Sequence, residues 1–545
     1  MKALLLTAFL GIGVSAKVAA TTYYVSSGAN SLVTGVNATG GGRGLSPGRP
    51  FATIQYAADR TNPGDTVFVR QGTYVNQYSY SPGVEITRSG APGQWIVYHN
   101  YPGDTQKPLL QFNTWEGFKL VGNISYIEIN GFRVQGNNRN VNLADATNQP
   151  RSCALNGAGT PEGRYNGNGI LSRGTTTVGS QNPHHLRFLN NEIFECGGAG
   201  IGVLQSDYVT VENNLIYDTS WYTIYATSGI SIYQAWNYDT APGYHIIVRN
   251  NRCFGNRLFV PWWRGGTFGC MGITDGNGII IDDSKNTQNS SKLGAYTSRT
   301  LVANNLVVNN GGTGMHSFIS EHVDFINNTS YHNSQSPEIN DGEMYANRSN
   351  DVLFQNNILS ADAGQVVNSN GSSNTNIRFV NNLYFGGTTV AVAGTNTVRA
   401  NPQFVNPTTN WATADFRLAS TSPAINAGVN NLLSTVDLAG NPRLVGANVD
   451  LGAYESTLPL STAAARASMP LQIFPNPTHG TVELSLPRIA LGSSIRVFDA
   501  VGRLCLSQPV AGEKMTLSVA NLPAGVYSVQ VQTPTGRLTQ RLSVD

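Results

Sequence analysis

The chain has 545 residues, carries a formal net charge of +2 at pH 7, and only 12% of its residues are charged. A net charge so close to zero gives no reason to expect a nucleic acid or an anionic membrane as a partner. The length exceeds one ordinary globular core, whereas a repeat protein grows by adding units to a continuous core.

Residues 1–20 are predicted to form a secretory signal peptide. Lys2 is the basic residue at its start, an apolar run follows from Ala3 to Val14, and Val18-Ala19-Ala20 offers a cleavage site of small residues. The apolar run is too short to span a bilayer, and no later stretch approaches the ~20 apolar residues of a transmembrane helix. The sequence therefore predicts an exported protein without a transmembrane segment.

The segment that follows predicts a strand (YYV), a short helix and a second strand. Thr53 can cap a helix that runs through Ala58, and the strand Thr66 to Arg70 alternates after an Asn-Pro-Gly-Asp turn. The stretch PFATIQYAADRTNPGDTVFV resembles the N-terminal segment of secreted right-handed parallel β-helix proteins of the pectate-lyase-like superfamily. This resemblance implies a right-handed solenoid whose open end is capped by the helix.

From His185 onwards the sequence repeats one unit: an alternating strand, Asn-Asn, a second short strand, a Gly turn and a third strand. The closest copies are about two dozen residues apart, which suits one solenoid turn of three short strands. A propeller or a sandwich would need longer or irregular units. We expect an amide ladder from the second asparagine of each pair, namely Asn191, Asn214, Asn251, Asn305, Asn328, Asn357 and Asn382. The repeat predicts an all-β fold, a parallel β-helix over residues 21–455.

The third strands of successive units align so that one apolar position follows each turn. Because strand residues alternate between faces, these positions should point into the core: Ile170, Ile201, Ile230, Ile279, Met315 and Met344. The residues between them then point outward and gather Arg173, Tyr233, Asp282, His316 and Tyr345 on one face. Asp275, Asp283 and Lys285 are expected at its edge, and the polar stretch 137–167 is expected to wall the groove as a long loop.

The resemblance to the pectate-lyase-like superfamily implies polysaccharide binding along this outward face. An acidic-polysaccharide lyase needs a base, a cation beside the substrate carboxyl and a proton donor for the leaving oxygen. Candidate bases are His316, Lys285 and Arg299, and candidate donors are Tyr233 and Tyr345. Three carboxylates could hold Ca²⁺, namely Asp275, Asp282 and Asp283. Arg173 and Asp282 complete the predicted catalytic set, and Trp262, Trp263 and Arg299 are the predicted substrate-binding residues.

Other functions fit the same face. A glycoside hydrolase would use two carboxylates, for which Asp282 could pair with Asp239 or Glu343. A uronan epimerase would share the lyase site and return the proton. A non-catalytic polysaccharide-binding or adhesive solenoid is the alternative outside enzymology.

Five cysteines are present, and Cys253–Cys270 is the most economical disulfide in an exported protein. Buried free thiols are an equally acceptable interpretation.

The C-terminal part differs from the solenoid in composition and in its pattern of strands. Residues 456–469 are rich in Ala, Ser and Thr and predict a linker, and residues 470–545 alternate as strands of a small β-sandwich. The motifs FPNPTHG, VFDAVGR and LPAGVYSVQV resemble the type A sorting domain of the type IX secretion system. The resemblance implies recognition by that machinery and a secreted or cell-surface location; a carbohydrate-binding sandwich is the alternative. We expect a monomer.

Overall fold

The computed structural model describes residues 19–29, 32–430, 433–456, 471–486, 493–499, 502–533 and 536–545. The chain divides into two units, residues 1–456 and 457–545. All but the last two residues of the predicted signal peptide, and all of the predicted linker after Ser456, lie outside the described residues, so both stay predictions. Among the described helices, none has the length and apolarity needed to cross a membrane.

The first unit is a solenoid whose turns each contribute one strand to each of three long parallel sheets. The first eleven-stranded sheet consists, in spatial order, of β1 (Thr22–Val25), β2 (Thr66–Val69), β5 (Ile96–Asn100), β8 (Ser125–Asn130), β11 (His184–Leu189), β14 (Asp207–Glu212), β17 (Tyr244–Arg249), β22 (Arg299–Ala303), β25 (Glu321–Ile326), β28 (Asn350–Gln355) and β31 (Thr375–Val380).

The ten-stranded sheet consists of β4 (Val84–Glu85), β7 (Glu116–Val121), β10 (Asn168–Arg173), β13 (Ile201–Leu204), β16 (Ile230–Tyr233), β21 (Ile279–Asp282), β24 (Met315–Phe318), β27 (Met344–Asn347), β30 (Val366–Asn370) and β33 (Thr389–Val390). The second eleven-stranded sheet consists of β3 (Thr73–Val75), β6 (Leu109–Gln111), β9 (Arg133–Gln135), β12 (Glu192–Phe194), β15 (Leu215–Tyr217), β18 (Arg252–Phe254), β23 (Leu306–Val308), β26 (Thr329–Tyr331), β29 (Ile358–Ala361), β32 (Leu383–Gly386) and β34 (Val398–Arg399).

The predicted register of the ten-stranded sheet is confirmed. Ile170 pairs with Ile201, which pairs with Ile230, and the row continues through Ile279, Met315 and Met344. All six side chains are fully buried in one continuous core. The residues that alternate with them therefore point outward, as the sequence analysis expects.

The amide ladder also forms, and the two asparagines of each pair have different structural roles. The second asparagine donates its side-chain amide to the next one along, as from Asn251 to Asn305 at 3.0 Å and from Asn305 to Asn328 at 3.0 Å. The first asparagine takes the left-handed backbone of the corner, with φ 53° at Asn304. A shorter ladder, not predicted, links Asn256, Asn310 and Asn333.

The N-terminal cap is confirmed. Helix α1 (Ile54–Ala58) has Thr53 as its N-cap, whose hydroxyl accepts from the amide of Tyr56 at 3.2 Å. Two more short helices, α2 (Leu143–Thr147) and α3 (Gly163–Asn166), and a 3₁₀ turn (Asn138–Asn140) lie in the predicted loop 137–167.

The end of the first unit does not simply close the last turn. It includes an antiparallel pair, β35 (Phe404–Asn406) and β36 (Asp415–Leu418), and runs back over the outside of the second eleven-stranded sheet. Phe416 and Tyr454 share an apolar cluster there with Phe194 and Tyr217. The first asparagines of three pairs hold this segment by donating to its backbone carbonyls: Asn304 to Val436, Asn327 to Asp450 and Asn356 to Val429.

One disulfide joins two loops of the solenoid, and it is not the predicted one. Cys153, in the loop 137–167, bonds to Cys270 in a hairpin of β19 (Trp262–Gly265) and β20 (Gly269–Gly272). Cys253 lies inside the core as a free thiol because its strand β18 turns that side chain inward. The Cys253–Cys270 prediction is therefore wrong, and the alternative of buried free thiols holds for Cys196 and Cys253.

The second unit contains two antiparallel sheets around a single apolar core, as predicted. One sheet holds β37 (Gln472–Phe474), β38 (Thr481–Ser485) and β41 (Lys514–Ser518), and the other holds β39 (Ser494–Phe498), β40 (Leu504–Pro509), β42 (Gly525–Thr533) and β43 (Gly536–Val544).

Candidate active site

A groove of about 1100 Å³ runs along the outer face of the ten-stranded sheet. Its floor consists of outward residues from six consecutive strands: Leu171, Arg173, Gly202, Leu204, Ser231, Tyr233, Ile280, Asp282, His316, Phe318, Tyr345 and Asn347. Five of the six predicted catalytic residues, His316, Asp282, Tyr233, Tyr345 and Arg173, are among them. The shared register of the strands brings these five together from a span of more than 170 residues.

The walls of the groove come from insertions between strands. Trp262, Arg264 and Met271 line it from the β19–β20 hairpin, and Gln288 and Asn289 line it from the loop after β21. The disulfide fastens the hairpin to the loop 137–167, which reaches the groove at Asn166. Trp115 and Tyr80 line it near its β7 end.

His316 lies on the floor between two aromatic rings. It pairs with Ile280 on one side and Tyr345 on the other, and its ring centroid is 4.7 Å from that of Tyr345 and 5.7 Å from that of Phe318. The residue is only 8% exposed, yet neither ring nitrogen has a hydrogen-bond partner among the described residues. Burial lowers the pKa of His316 to about 3, so the imidazole is neutral near pH 7.

Asp282 lies two residues further along its strand than Ile280 and pairs with Tyr233 on the neighbouring strand. Its Oδ1 accepts from Gln288 at 2.9 Å. Burial, followed by the nearby charges of Asp275 and Asp283, raises the pKa of Asp282 well above its usual value. Burial also raises the pKa of Asp275 to about 6, so the groove contains two mutually repelling carboxyl groups.

Tyr233 and Tyr345 both keep their phenolic protons. Desolvation is the main reason that the pKa of Tyr345 rises to about 12 and that of Tyr233 also rises. The Tyr233 hydroxyl accepts from Asn289 Nδ2 at 2.7 Å, which leaves its own proton available.

Four other predicted residues do not line the groove. Asp283 is fully buried, and its carboxylate accepts from the backbone amides of Thr287 and Gln288, which fixes the loop after β21. Lys285 lies 3.6 Å from Glu321 and donates to the carbonyl of Arg348.

Arg299 belongs to the first eleven-stranded sheet, where it pairs with Asp324 and Asp351 at 2.6 Å each. Trp263, unlike Trp262, packs against Gly157. These positions follow from loop paths and from strand alternation, since neighbours in sequence face opposite ways.

The two carboxylate partners considered for a hydrolase also lie elsewhere. Glu343 is buried and bonds to Ser330 and Asn333, and Asp239 hydrogen-bonds to Tyr208 outside the groove. The groove instead places Asp275 near Asp282.

Several groove residues were missed by the sequence analysis: Tyr80, Trp115, Glu116, Lys119, Arg264, Asp341 and Arg348. A signal existed for the β7 residues, because Gly117-Phe118-Lys119 repeats the glycine, core residue and outward residue of the later units. The positions of Tyr80 and Arg264 depend on loop conformation, which the repeat does not encode.

The charge of the groove depends on the protonation of its carboxyl groups. Four cations line it, and only Lys119 has an ion-pair partner among the described residues, namely Glu85 at 2.8 Å. The other three are Arg173, Arg264 and Arg348. The pKa of each of the four lining carboxyl groups is raised, chiefly by burial, in Glu116, Asp275, Asp282 and Asp341. At a pH where some of these carboxyls are protonated, the net charge of the groove becomes more positive.

The three aspartates predicted to bind calcium do not form one cluster. The carboxylate of Asp283 is occupied by the loop amides, which leaves two carboxyls, Asp275 and Asp282, facing the groove. Within the described ranges, no three His, Cys, Asp or Glu side chains are grouped to hold a metal ion. The donor set does not fit the six to eight oxygens that Ca²⁺ takes.

Two family models match the chain. Residues 36–183 match "Pel9A-like, right handed beta helix region", and residues 472–545 match "Secretion system C-terminal sorting domain". No curated protein gives a significant match.

Among solved structures, the chain is similar to a pectate lyase, Pel9A, at 16% identity and a TM-score of 0.44, over 81% of this chain and 98% of that one. It is similar to a rhamnogalacturonan lyase at 13% identity and a TM-score of 0.39, covering 80% and 97%. It is similar to the A-module of mannuronan C-5 epimerase AlgE6 from Azotobacter vinelandii at 15% identity and a TM-score of 0.31, covering 62% and 92%. Sequence identities and TM-scores this low do not indicate which reaction this chain catalyses.

The two family matches and the three parallel sheets agree with the architecture expected from the repeat and from the C-terminal motifs. The sorting domain indicates export by the type IX system to the cell surface or the medium. The chain folds as a right-handed parallel β-helix whose residues 36–183 match the Pel9A-like region model, and its residues 472–545 match a C-terminal secretion sorting domain.

Proposed function

We propose that this protein cleaves an acidic polysaccharide by β-elimination in the groove of the ten-stranded sheet. The observation that carries the proposal is the charge of the groove: three arginines without an ion-pair partner among the described residues, beside carboxyl groups whose pKa values are raised. Such a surface attracts a polyanion and neutralises its carboxylates.

The catalytic residues we assign are His316, Tyr345 and Arg348. Arg348 directly follows Asn347 on the floor, and its charge acts on the Tyr345 hydroxyl. Its guanidinium can bind the uronate carboxylate and stabilise the enolate that forms from it. His316 Nδ1 or Nε2 takes the proton from the carbon alpha to that carboxyl.

The elimination then breaks the bond to the glycosidic oxygen and forms a carbon–carbon double bond. Tyr345 donates its phenolic proton to the leaving oxygen, and its ring lies in contact with that of His316. The proton taken by His316 later returns to Tyr345 through solvent, which regenerates both groups. The negative charge of a bound uronate raises the pKa of His316 towards the range of a useful base.

A glycoside hydrolase is the second candidate, because one specific observation favours it. Asp275 and Asp282 face the same groove, and burial raises the pKa of both carboxyls. Two neighbouring carboxyls repel each other's charge, so one can hold a proton as the acid while the other is ionised as the base of hydrolysis. Asp282 would act as the acid in that reaction.

The experiment is incubation of the mature protein with pectate, alginate and glycosaminoglycans. The ultraviolet absorbance of an unsaturated product identifies elimination, and new reducing ends without that absorbance identify hydrolysis. Deuterium incorporation from heavy water into uncleaved polymer identifies an epimerase. Binding without any of these products favours the adhesive alternative. A parallel incubation with EDTA, followed by Ca²⁺, tests whether the pair Asp275 and Asp282 recruits the predicted ion.

Arg173→Ala should raise the KM for the polymer about tenfold with little change in kcat. Arg173 lies on β10, several strands from His316, so its contact with substrate is the same in the ground state and the transition state. The KM of the variant should also depend less on salt. Arg399→Ala, an exposed arginine of the second eleven-stranded sheet, is the control. An unchanged KM would remove Arg173 from the substrate path.

Cys153→Ser should also raise the KM, by several-fold, because the disulfide holds the hairpin that carries Trp262 and Arg264. Small displacements of positioning groups weaken binding and orientation together. Cys505→Ser removes an exposed free thiol in the second unit and serves as the control. Equal kinetics of the Cys153→Ser variant and the wild type would mean that the hairpin keeps its position without the bond.

A further inference from the structure

An aromatic pair is exposed at the end of the groove that lies far from His316. The rings of Tyr78 and Tyr80 stack with centroids 5.3 Å apart and an angle of 2° between their planes. Tyr80 is 80% exposed and Tyr78 is 50% exposed. Among the large hydrophobic residues that the structure describes, Tyr80 is the most exposed. Tyr80 lines the groove together with Pro82, Trp115 and Lys119.

This exposure costs solvation free energy unless something covers the ring. The stacked partner fixes the orientation of Tyr80, so a flat apolar surface is held ready at low conformational cost. A pyranose ring has an apolar face of C–H groups that matches such a surface. Trp115 supplies a second ring nearby, and Lys119 supplies a positive charge for an acidic sugar.

The reacting residues lie close to the opposite end of the groove. From β24, which carries His316, the groove continues by one strand to β27, where Tyr345 and Arg348 mark its end. In the other direction it passes β21, β16, β13 and β10 before it reaches β7. With strands ~4.8 Å apart, five spacings place the Tyr80 end about 24 Å from His316.

We propose that Tyr80 forms a remote sugar-binding subsite that makes cleavage depend on the length of the polysaccharide chain. This inference rests on the proposed function for its substrate and on the geometry of the groove for its location. A chain bound along the solenoid axis has several sugar units between the scissile bond and Tyr80. It has few on the Arg348 side, so cleavage should release short fragments from that side. A disaccharide or trisaccharide at the reacting end cannot reach Tyr80.

The test compares Tyr80→Ala with the wild type on a long polymer and on a short oligomer of the same sugar. We expect the KM for the polymer to rise about two- to tenfold, the range of one aromatic contact, with the KM for the trisaccharide unchanged. Tyr80→Trp should restore the polymer KM because it restores the ring. Phe385→Ala, a partly exposed aromatic residue of β32, is the control for surface substitutions.

Equal KM values for variant and wild type on the polymer would overturn the subsite. A KM that rises equally for both substrates would also overturn it, since the effect would not depend on length. Where the wild type cleaves no acidic polymer, the proposed function fails by itself. The subsite is then decided by affinity electrophoresis in the same polymers: weaker retardation of Tyr80→Ala supports it, and equal retardation overturns it.

Discussion

Replacing His316 by leucine should abolish cleavage while leaving the solenoid at least as stable as the wild type. General-base catalysis contributes about 10²- to 10⁴-fold, and we expect kcat to fall by that factor. Stability should not fall, because neither ring nitrogen of His316 makes a hydrogen bond within the described structure. A buried polar group without a partner costs free energy that leucine does not.

The stability effect has a defined pH dependence. The pKa of His316 is about 3 in the folded protein, below the ordinary 6.5, so the unfolded chain binds the proton more tightly. The wild type therefore loses stability as the pH falls below 6.5, by about 2 kcal/mol at pH 5 from this group alone. His316→Leu removes that loss, so its unfolding free energy should exceed that of the wild type more at pH 5 than at pH 8.

His322→Leu is the matched control, for which we expect the reverse effects on stability and on kcat. His322 lies on the first eleven-stranded sheet and bonds to Asp351 at 2.8 Å, away from the groove. Its replacement should cost some stability and leave kcat unchanged. Chemical denaturation at the two pH values and initial rates of product formation measure both quantities. Full activity of His316→Leu would contradict the assignment of the base.

Asn305→Ala should destabilise the solenoid by about 4 kcal/mol, among the largest effects of any single substitution in this chain. Asn305 accepts from the backbone and side-chain amides of Asn251 and donates to Val248 and Asn328. Alanine removes these bonds and leaves buried donors and acceptors unpaired, each costing about 1–3 kcal/mol. Because each ladder residue supports the next, the loss extends to neighbouring turns.

Equilibrium denaturation of the wild type, Asn305→Ala and Asn113→Ala measures this effect. Asn113 is exposed and lies outside the ladder, so its substitution should change the unfolding free energy by less than about 0.5 kcal/mol. A loss at Asn305 as small as that at Asn113 would show that the amide ladder contributes little to stability. The comparison needs no substrate, so it is independent of the proposed function.

The fold could be predicted because its information is periodic. The recurring Asn-Asn pair and the apolar residue after each turn specify a register, and the register alone brings Asp282, Tyr233, His316 and Tyr345 onto one face. The same periodicity located the ladder of which Asn305 is part. Errors arose where the chain leaves the period. Lys285 and Asp283 follow the strand of Asp282 directly, yet the loop after β21 turns both away from the groove.

The disulfide shows most clearly where prediction from the sequence fails. Nearness in sequence favoured Cys253 and Cys270, whereas the bond joins Cys153 and Cys270, which lie 117 residues apart. Cys253 occupies an inward position of its strand and cannot reach a surface loop. The composition of the two insertions does not show that they meet.

The sequence by itself determined the export domain, the solenoid, its register and the outward floor of the groove, because each depends on local alternation or on a repeated motif. Only the tertiary structure decided the walls: the hairpin of Trp262 and Arg264, the Tyr80 end, and the pairing of Asp275 with Asp282. Insertions follow no period, and their positions are set by contacts between segments distant in the chain. The environment of a titratable group, such as the dry and unpaired site of His316, depends on the same contacts.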